Sequence, residues 1–378
     1  MGINSVAFSG GINSDDDYIS SLLTNWTMTA SQYSHFRSVA ELRAGVLVWQ
    51  IVSPILIVFG TVGNVLSIIV LSSRKFNRWS SSVYLLGLAV ADLCALYIGL
   101  LRQWIKYSFD SDIRHIHPVL CKVHWWLMYT CADVPVWILT AITVERLIST
   151  LCPYKSKAIC TKNRAKIVLI MIVSLALAIN SHLLYGFGKL EITIANETTI
   201  VIPCAPLTDA YEQFFGKVWT WIDLCKYSLI PFALLSTGNI CIIYKLLSSS
   251  RKVKTQVAPT TSQTQASSGN ERTSNMTILL VCLNFVFIAC TAPVCIYFIG
   301  EPYWIPKDVP RNIQLQDPWW ALVNMLMYIN NSANFILYCL TGSRFRESVK
   351  KLVCKDTYSG DVTTTGVGNT INSRSAAM

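Results

Sequence analysis

The chain has 378 residues, of which 52% are hydrophobic and only 14% are charged. A charged fraction this small, with a mean hydropathy of +0.43, argues against a soluble globular protein and indicates a chain that lies in lipid. The net charge of +10 does not require a nucleic-acid partner, because basic residues beside apolar runs are attracted to anionic lipid.

Residues 1–46 are predicted to form an N-terminal tail outside the cell. They are rich in Ser, Thr and Asn, include Asp15, Asp16 and Asp17, and contain no apolar run of the kind that a signal peptide needs. Asn25 begins the tripeptide Asn-Trp-Thr and is a candidate glycosylation site; chance occurrence of so short a motif is the alternative.

Seven apolar runs follow, at residues 48–71, 83–104, 124–151, 167–187, 218–247, 278–299 and 319–340. Each approaches or exceeds the roughly 20 residues that a helix needs to cross a bilayer. The runs therefore predict an all-α membrane protein, built as a seven-transmembrane helix bundle over residues 47–342. Because the number of crossings is odd, the two termini lie on opposite sides.

Lysine and arginine residues decide which side is which. They are concentrated in alternate loops, at residues 74–78, 155–166, 251–272 and 344–355, and the other loops contain fewer of them. The positive-inside rule places these loops in the cytoplasm and the N-terminus outside the cell. The chain is thus predicted to be a multi-pass plasma-membrane protein whose cytoplasmic C-terminal tail covers residues 356–378.

Two cytoplasmic segments are predicted to be unstructured. They are the loop at about 248–274, which is rich in Ser, Thr and Gln, and the polar tail at 356–378. Between the bundle and the tail, residues 343–355 place Phe345, Val349 and Leu352 among basic residues. This pattern predicts a short amphipathic eighth helix on the inner membrane surface, with Cys354 as a palmitoylation candidate.

Two of the cysteines outside the apolar runs lie on the predicted outer side. Cys121 lies at the outer mouth of the third run and Cys204 in the loop before the fifth, so both share an oxidising compartment. A disulfide between them is predicted, and it would hold the long outer loop across the mouth of the bundle. Asn196 in the same loop begins Asn-Glu-Thr, a second candidate glycosylation site.

Motifs of enzyme chemistry are missing from the sequence. There is no His-Glu-x-x-His, no Gly-x-Ser-x-Gly and no phosphate loop, and the five histidines form no ligand cluster, so neither an enzyme nor a metal site is expected. A transporter or channel would require inverted repeats, broken helices or a line of charges through the bundle, but the sequence has no repeat between its halves and too few charges inside the apolar runs. That class is kept as an alternative.

Short motifs occur in order along the runs. They are Gly63-Asn64-Val65, Leu88-Ala89-Val90-Ala91-Asp92-Leu93, Glu145-Arg146-Leu147 with Pro153, Pro231, the set Phe287, Cys290 and Pro293, and Asn334-Phe335-Ile336-Leu337-Tyr338. Together they resemble the rhodopsin-like (class A) G-protein-coupled receptors, from about residue 48 to 354. The resemblance implies a receptor that binds an extracellular ligand and activates heterotrimeric G proteins, with receptor kinases and arrestin as further partners.

The end of the seventh run narrows the resemblance. Asn-Phe-x-x-Tyr followed by CLTGSRFRE is similar to invertebrate neuropeptide receptors, in particular the FMRFamide-like subgroup. The resemblance therefore implies an amidated neuropeptide as the ligand, and an orphan or small-molecule receptor is the alternative. Some positions depart from the family pattern: Asn239 stands where a tyrosine is usual, Thr291 replaces a tryptophan, and Phe335 replaces a proline.

The resemblance also assigns roles to polar residues inside the bundle. It implies that Glu145, Arg146, Pro293 and Tyr338 couple the receptor to its G protein and switch it. It implies that Asn64, Asp92, Asn330 and Asn334 hold a sodium ion, with Asn331 as a further amide that can face Asp92, and no other cofactor is expected. A purely structural polar network is the alternative, although an ionisable residue at membrane depth is functional by default.

The ligand site is predicted from charged and aromatic residues near the outer mouth. Asp133 and Asp223 would attract a cationic group such as the arginine of a peptide. Arg102 is a further candidate, and the alternative is an internal pair between Arg102 and one of these aspartates. An interfacial belt explains most of the aromatic residues at the mouth, and the predicted ligand contacts among them are Trp125, Tyr129 and Tyr297.

Overall fold

The computed structural model describes residues 38–74, 76, 79–194, 198–256, 266–305 and 314–353. Within these residues the chain forms seven long helices, which we number first to seventh. They are Val39–Ser72, Ser80–Phe109, Pro118–Leu151, Lys162–Gly186, Asp209–Lys245, Ala266–Trp304 and Pro318–Thr341. The prediction of a seven-helix bundle is confirmed.

The first six helices contain stretches that are long and apolar enough to cross a membrane. The seventh helix is also long enough at 24 residues, but its four asparagines make it less apolar than the others. The asparagines are Asn324, Asn330, Asn331 and Asn334, and each of their side chains is buried inside the bundle. The seventh helix is therefore less apolar because it supplies polar groups to the interior of the bundle.

The first helix begins earlier than the sequence predicted. Its start at Val39 is fixed by a capping box, in which the Ser38 hydroxyl accepts from the Glu41 N–H and the Glu41 carboxylate accepts from the Ser38 N–H. The tail predicted at residues 1–46 is therefore too long at its C-terminal end. The helix can begin at Val39 because Ser38 and Glu41 accept hydrogen bonds from backbone N–H groups at the helix start. Residues 1–37, including Asn25, lie outside the described residues.

The second and fifth helices contain π-helical turns that the apolar pattern did not predict. These turns are Ala95–Leu100 in the second helix and Phe214–Trp219 and Cys225–Leu229 in the fifth. A π turn adds a residue to the helical turn and so rotates the face that follows, and such turns are common at functional sites. Asp223 and Lys226 lie between or within the two π turns of the fifth helix.

A β-hairpin connects the fourth and fifth helices. Strand β1, Phe187–Ile194, pairs antiparallel with strand β2, Thr198–Pro206. Cys204 on β2 forms a disulfide with Cys121 near the start of the third helix, which confirms the predicted bridge. We refer to this end of the bundle as the hairpin end. The glycosylation candidate Asn196 lies outside the described residues.

At the opposite end of the bundle, helical structure extends into the segment predicted to be unstructured. Helical turns continue through Gln256 after the fifth helix, and the sixth helix starts at Ala266. The prediction for residues 248–274 is therefore wrong at both ends of that segment. The physical reason is that polar residues next to an existing helix only extend it and do not bear the cost of nucleation. Residues 257–265 lie outside the described residues.

The predicted eighth helix is present as Ser343–Val353. Phe345 anchors it: its side chain is 5% exposed and packs edge-on against the Tyr338 ring, with 5.4 Å between the ring centroids. The palmitoylation candidate Cys354 lies just outside the described residues. The eighth helix is thus joined to the end of the seventh helix by the Phe345 ring and by Arg346, whose Nη1 donates to the Cys339 and Leu340 carbonyls.

The first and seventh helices pack closely because the first presents glycines to the seventh. A Cβ atom added to Gly63 would lie 2.9 Å from the Cβ of Phe335, and one added to Gly60 would lie 2.8 Å from the Ser332 hydroxyl oxygen. Small residues allow such close approach of membrane helices. This packing brings the neighbouring Asn64 side chain to the backbone of the seventh helix, where Asn64 Nδ2 donates to the Asn331 carbonyl at 2.9 Å.

Candidate ligand site and polar networks of the bundle

A cavity of about 60 Å³ opens among the second, third, fifth, sixth and seventh helices. It is lined by Met128, Tyr129, Asp223, Tyr227 and Tyr328, and on its inner side by Asn330 and Asn331. Cavities that hold whole drug-sized ligands are several times larger. This cavity can therefore take the tip of one ligand side chain, and Asp223 is the carboxylate on its wall.

Two aspartates and one lysine form an ion cluster beside the cavity. The Lys226 ammonium donates to both carboxylate oxygens of Asp133, at 2.8 and 2.7 Å, and to Asp223 Oδ1 at 2.7 Å. Asn180 of the fourth helix donates from Nδ2 to Asp133 Oδ2 at 2.8 Å. Asp133 is thus satisfied by three hydrogen bonds, whereas Asp223 receives one from the shared ammonium.

The cluster leaves an uncompensated negative charge, because two carboxylates share one ammonium. The Asp133 side chain is 4% exposed and does not line the cavity, whereas the Asp223 side chain is 24% exposed and does. Of the two aspartates predicted to meet the ligand, the structure places Asp223 at the cavity and turns Asp133 toward the fourth and fifth helices. The surplus charge therefore faces the cavity at Asp223.

Lys226 was missed in the sequence analysis, which treated residues 218–247 as an apolar run. A signal was available, because Lys226 follows Asp223 by three residues, and a helix places such residues on one face. An ionisable residue at membrane depth normally has a partner, so the lysine could have been assigned to these aspartates.

Arg102 is paired with a residue that the sequence analysis did not name. Its guanidinium binds Asp112 through two hydrogen bonds, Nε to Oδ1 at 2.9 Å and Nη2 to Oδ2. The alternative that Arg102 pairs with Asp133 or Asp223 is wrong. Burial alone would raise the pKa of Asp112, but the hydrogen bonds and charge of Arg102 hold it well below its usual value. Asp112 is therefore ionised, and the pair closes the loop after the second helix.

Arg114 is a second residue that the sequence analysis missed. It lies on a short helix, Ile113–Ile116, which we call the loop helix, and it is 6% exposed. Its guanidinium lies over the Trp125 ring, 3.8 Å from the centroid, and Nε donates to His124 Nδ1 at 2.9 Å. Its other contact is from Nη2 to the Met128 sulfur at 3.1 Å. The loop helix thus carries a cation to the edge of the cavity.

The predicted aromatic contacts are divided between the cavity and the hairpin. Trp125 stacks on Phe187 of β1 with 4.8 Å between ring centroids, so it supports the hairpin. Tyr129 lines the cavity and packs edge-on against Trp219. Tyr297 donates its hydroxyl to Asp317 Oδ2 at 3.1 Å, near the start of the seventh helix. Of the three aromatic residues, the structure brings Tyr129 to the same cavity as Asp223.

Deeper in the bundle, the carboxylate of Asp92 is fully buried and held by asparagines. Asn331 and Asn334 donate their Nδ2 groups to its two oxygens at 2.9 and 2.6 Å. Asn64 joins this network through the Asn331 backbone, and its own Oδ1 has no partner among the described residues. Asn330 and Asn331 both line the cavity, but among the described residues only Asn331 and Asn334 donate to Asp92, and Asn330 does not.

The residues around Asp92 fit a small hard cation, because such ions bind oxygen ligands. The buried carboxylate and the partnerless Asn64 Oδ1 are donors of that kind. Asp92 and Asn64 are therefore the residues that would hold a sodium ion, and the two amide donors keep the carboxylate satisfied without one.

At the opposite end of the bundle, Glu145 and Arg146 are linked through serines. The Glu145 carboxylate accepts from Ser80 Oγ at 2.7 Å and from Ser81 Oγ at 3.1 Å. Arg146 Nη2 donates to the same Ser81 hydroxyl, and no ion pair between described residues joins Arg146 directly to Glu145. Ser81 thus lies between the acid and the base that the resemblance pairs directly.

Comparison with known proteins decides the family. The sequence pattern described as 7 transmembrane receptor (rhodopsin family) matches residues 63–338, from the last third of the first helix to near the end of the seventh. The chain belongs to this family. It is therefore a multi-pass signalling receptor and not an enzyme, and the transporter or channel alternative is set aside.

Individual relatives are distant. The FMRFamide receptor of Drosophila melanogaster is 23% identical over 296 residues, 76% of this chain and 50% of that protein. The thyrotropin-releasing hormone receptor of Gallus gallus is 22% identical over 80% of this chain and 79% of its own. Galanin receptor 2a of Danio rerio is 25% identical over 86% and 83%, respectively. The receptor thus spans half the length of the Drosophila relative and about four-fifths of the other two.

A three-helix hydrogen-bond network, which we call the Asn284 clamp, lies toward the opposite end of the receptor. Asn284 of the sixth helix donates from Nδ2 to Thr143 Oγ1 of the third helix at 2.8 Å and to Asn239 Oδ1 of the fifth at 2.9 Å. Asn239 is one of the departures from the family pattern, and here it ties the fifth helix to the sixth. Pro293 lies on the same sixth helix, closer to the hairpin end.

Thr143→Val is expected to raise the basal signalling of the receptor by about 3- to 5-fold, because it removes an interhelical hydrogen bond worth about 0.6–1 kcal/mol. Thr140→Val is the matched control. Both hydroxyls donate to carbonyls of their own helix, at 2.9 and 3.0 Å, and only Thr143 also accepts from Asn284. Basal activation of a panel of G proteins in cells measures the effect. Equal basal signals from the two variants would contradict a restraining role for the clamp.

Proposed function

We propose that the receptor binds an extracellular peptide with a cationic residue and, in response, activates a heterotrimeric G protein. Three relatives support a peptide ligand by their names: receptors for FMRFamide, thyrotropin-releasing hormone and galanin. The name FMRFamide itself spells an amidated peptide that contains arginine. None of these relatives exceeds 25% identity, so the argument for the ligand rests on the site of this chain.

The observation that carries the proposal is the unbalanced charge at Asp223. Lys226 uses its three ammonium protons on Asp133 Oδ1, Asp133 Oδ2 and Asp223 Oδ1. Asp223 Oδ2 receives no hydrogen bond from the described residues, and the side chain faces the cavity. In a low dielectric such a carboxylate favours a cationic partner, and a guanidinium or ammonium group on the ligand would complete the cluster.

We place the hairpin end outside the cell and the opposite end in the cytoplasm. The positive-inside rule supports this orientation, since Arg74, residues 155–166 and the ends of the fifth and sixth helices at Gln256 and Ala266 lie at the opposite end, where the sequence concentrates its basic residues. The Cys121–Cys204 disulfide at the hairpin end agrees with an oxidising exterior. In this orientation the hairpin end faces an extracellular ligand at the plasma membrane, and the end of the third helix that carries Arg146 faces the cytosol.

The cytosolic partners follow from the same orientation. Glu145, Arg146 and Tyr338 would form the surface that responds to the G protein, and a sodium ion held by Asp92 and Asn64 would favour the resting state. Hydroxyl groups in the tail at 356–378 are candidates for receptor kinases and, once phosphorylated, for arrestin. Each of these roles is implied by the family and awaits its own measurement.

The proposal is tested by screening cells that express the receptor with a library of amidated peptides, using calcium and cyclic AMP as readouts. Active peptides are then compared with analogues in which citrulline replaces arginine, on the wild type and on Asp223→Asn. We expect Asp223→Asn to lower the potency of arginine peptides by about 10- to 100-fold, the value of a charged hydrogen bond. It should leave the potency of the citrulline analogues nearly unchanged.

Glu191→Gln is the matched control, because this carboxylate lies on β1 with its side chain 55% exposed and, among the described residues, forms an ion pair with Lys189 alone. It removes the same charge from the hairpin end without touching the cavity. If Glu191→Gln lowered the potency of arginine peptides as much as Asp223→Asn, the Asp223 carboxylate would act on the ligand only by long-range attraction. No response to any peptide of the library would argue against a peptide ligand.

A further inference from the structure

Arg114 carries a buried positive charge for which the described residues supply no carboxylate of its own. The nearby Asp112 is bound in bidentate fashion to Arg102; its one hydrogen bond from Arg114 comes from the backbone N–H, at 3.0 Å, and it attracts the Arg114 guanidinium only through space. Two guanidinium groups thus share one carboxylate. Charged groups buried this deeply are normally paired, because desolvation is costly.

The side chains in direct contact with the Arg114 guanidinium are all neutral. His124 accepts from Arg114 Nε through Nδ1, and its Nε2 lies 2.8 Å from the Ile98 carbonyl, so the imidazole is the neutral form that donates from Nε2. Trp125 offers a ring face, and Met128 offers a thioether sulfur. A thioether is a weak hydrogen-bond acceptor, so Nη2 would form a stronger hydrogen bond with a better acceptor.

Met128 connects Arg114 to the ligand site. Its sulfur contacts Arg114 Nη2 and its side chain lines the cavity on which Asp223 lies. Methionine is unbranched and flexible, so it can move aside at little cost. A carboxylate oxygen that took the place of the sulfur would exchange a weak contact for a charge-assisted hydrogen bond with bidentate geometry.

We propose that Arg114 is an anion-binding residue of the ligand site, which receives a carboxylate of the peptide after Met128 moves aside. The peptide class is then narrower than a cationic peptide: it carries a guanidinium or ammonium group for Asp223 and a carboxylate for Arg114. This inference deepens the proposed function and rests on a peptide ligand.

The two charge clusters lie on either side of an aromatic pair. Arg114 lies over Trp125, Trp125 is 6.0 Å from Tyr129 between ring centroids, and the Lys226 ammonium is 5.6 Å from the Tyr129 centroid. The surplus positive charge at Arg114 and the surplus negative charge at Asp223 are therefore separated by about the width of two rings. A ligand that bridges them places its cation at Asp223 and its carboxylate at Arg114. The reversed orientation would bring like charges together and is disfavoured.

The first test measures thermal unfolding of the detergent-solubilised receptor without ligand, for Arg114→Gln and Arg102→Gln. If Arg114 awaits an anion, Arg114→Gln removes an uncompensated charge and raises the unfolding temperature by about 2–4 °C. Arg102→Gln removes the partner of Asp112 and should lower that temperature. A fall in both variants, or failure of Arg114→Gln to fold, would show that Arg114 serves the fold alone and would overturn the proposal.

The second test uses the active peptides of the library screen, compared with analogues in which asparagine or glutamine replaces each acidic residue. On the wild type, the acidic peptides should be at least about 10-fold more potent than their amide analogues. On Arg114→Gln that difference should vanish, and Arg114→Lys should restore part of it. Equal potency of acidic and amide peptides on the wild type would overturn the proposal. A library without any active peptide would count against the proposed function, and the unfolding comparison would still decide the role of Arg114.

Discussion

Replacing Lys226 by methionine is expected to destabilise the receptor by about 3–5 kcal/mol, the usual result of breaking a buried ion pair from one side. The lysine is the shared partner of Asp133 and Asp223, and without it two carboxylates would remain within reach of each other at membrane depth. A loss of this size is a large fraction of the stability of most folded proteins. The amount of monodisperse receptor, measured by size-exclusion chromatography of a fluorescent fusion, should fall severalfold.

Two double variants show which aspartate depends on the lysine. Asp133→Asn combined with Lys226→Met leaves Asp223, whose side chain is 24% exposed, as the remaining charge, so much of the receptor should be recovered. Asp223→Asn combined with Lys226→Met leaves Asp133, whose side chain is 4% exposed, without a cation, so recovery should be smaller. Equal recovery in both, or a Lys226→Met single variant as stable as the wild type, would show that the cluster does not act as described.

Arg146→Ala is expected to abolish activation of the G protein while leaving peptide affinity within about 3-fold of the wild type, which corresponds to less than 1 kcal/mol. The residue lies at the end of the third helix remote from the cavity, and its guanidinium is held by Ser81 rather than by a ligand-site residue. Removing it should therefore change the cytosolic surface alone. Activation is measured by energy transfer between tagged G-protein subunits, and affinity by binding of a labelled active peptide.

Lys157→Ala is the matched control for this experiment. Lys157 is an exposed basic residue on the short helix Pro153–Ile159, which follows the third helix at the same end of the receptor. Loss of one exposed positive charge there should reduce activation little, since such charges are well solvated and screened. Full activation by Arg146→Ala, or an equal loss in both variants, would argue against a specific role for Arg146.

The helix bundle was predictable from the sequence because crossing a bilayer is a local requirement. Any run of about 20 apolar residues meets it, whatever the rest of the chain does. The disulfide was predictable for a similar reason, since only Cys121 and Cys204 stand apart at the mouth of the bundle. The apolar pattern did not indicate the π turns of the second and fifth helices, because one extra residue in a turn leaves the composition unchanged.

The partners inside the bundle were less predictable, because they depend on how each helix is rotated. Asn330 and Asn331 are neighbours in sequence but point about 100° apart on a helix, so composition alone cannot say which one faces Asp92. The structure selects Asn331. The pairing of Arg102 with Asp112 depends on the turn into the loop helix, where Asp110 adopts a left-handed backbone conformation with φ 48°. No sequence spacing indicates that geometry.

The asparagines of the seventh helix have a consequence for the biosynthesis of the receptor. A segment with four buried amides gains less on transfer into lipid than its neighbours, so it is a poor candidate for independent insertion from the translocon. Asn324 donates to the Trp320 carbonyl of its own helix, but Asn331 and Asn334 donate to Asp92 on the second helix, which is synthesised earlier. Stable membrane integration of the C-terminal end of the chain thus depends on prior assembly of its N-terminal half.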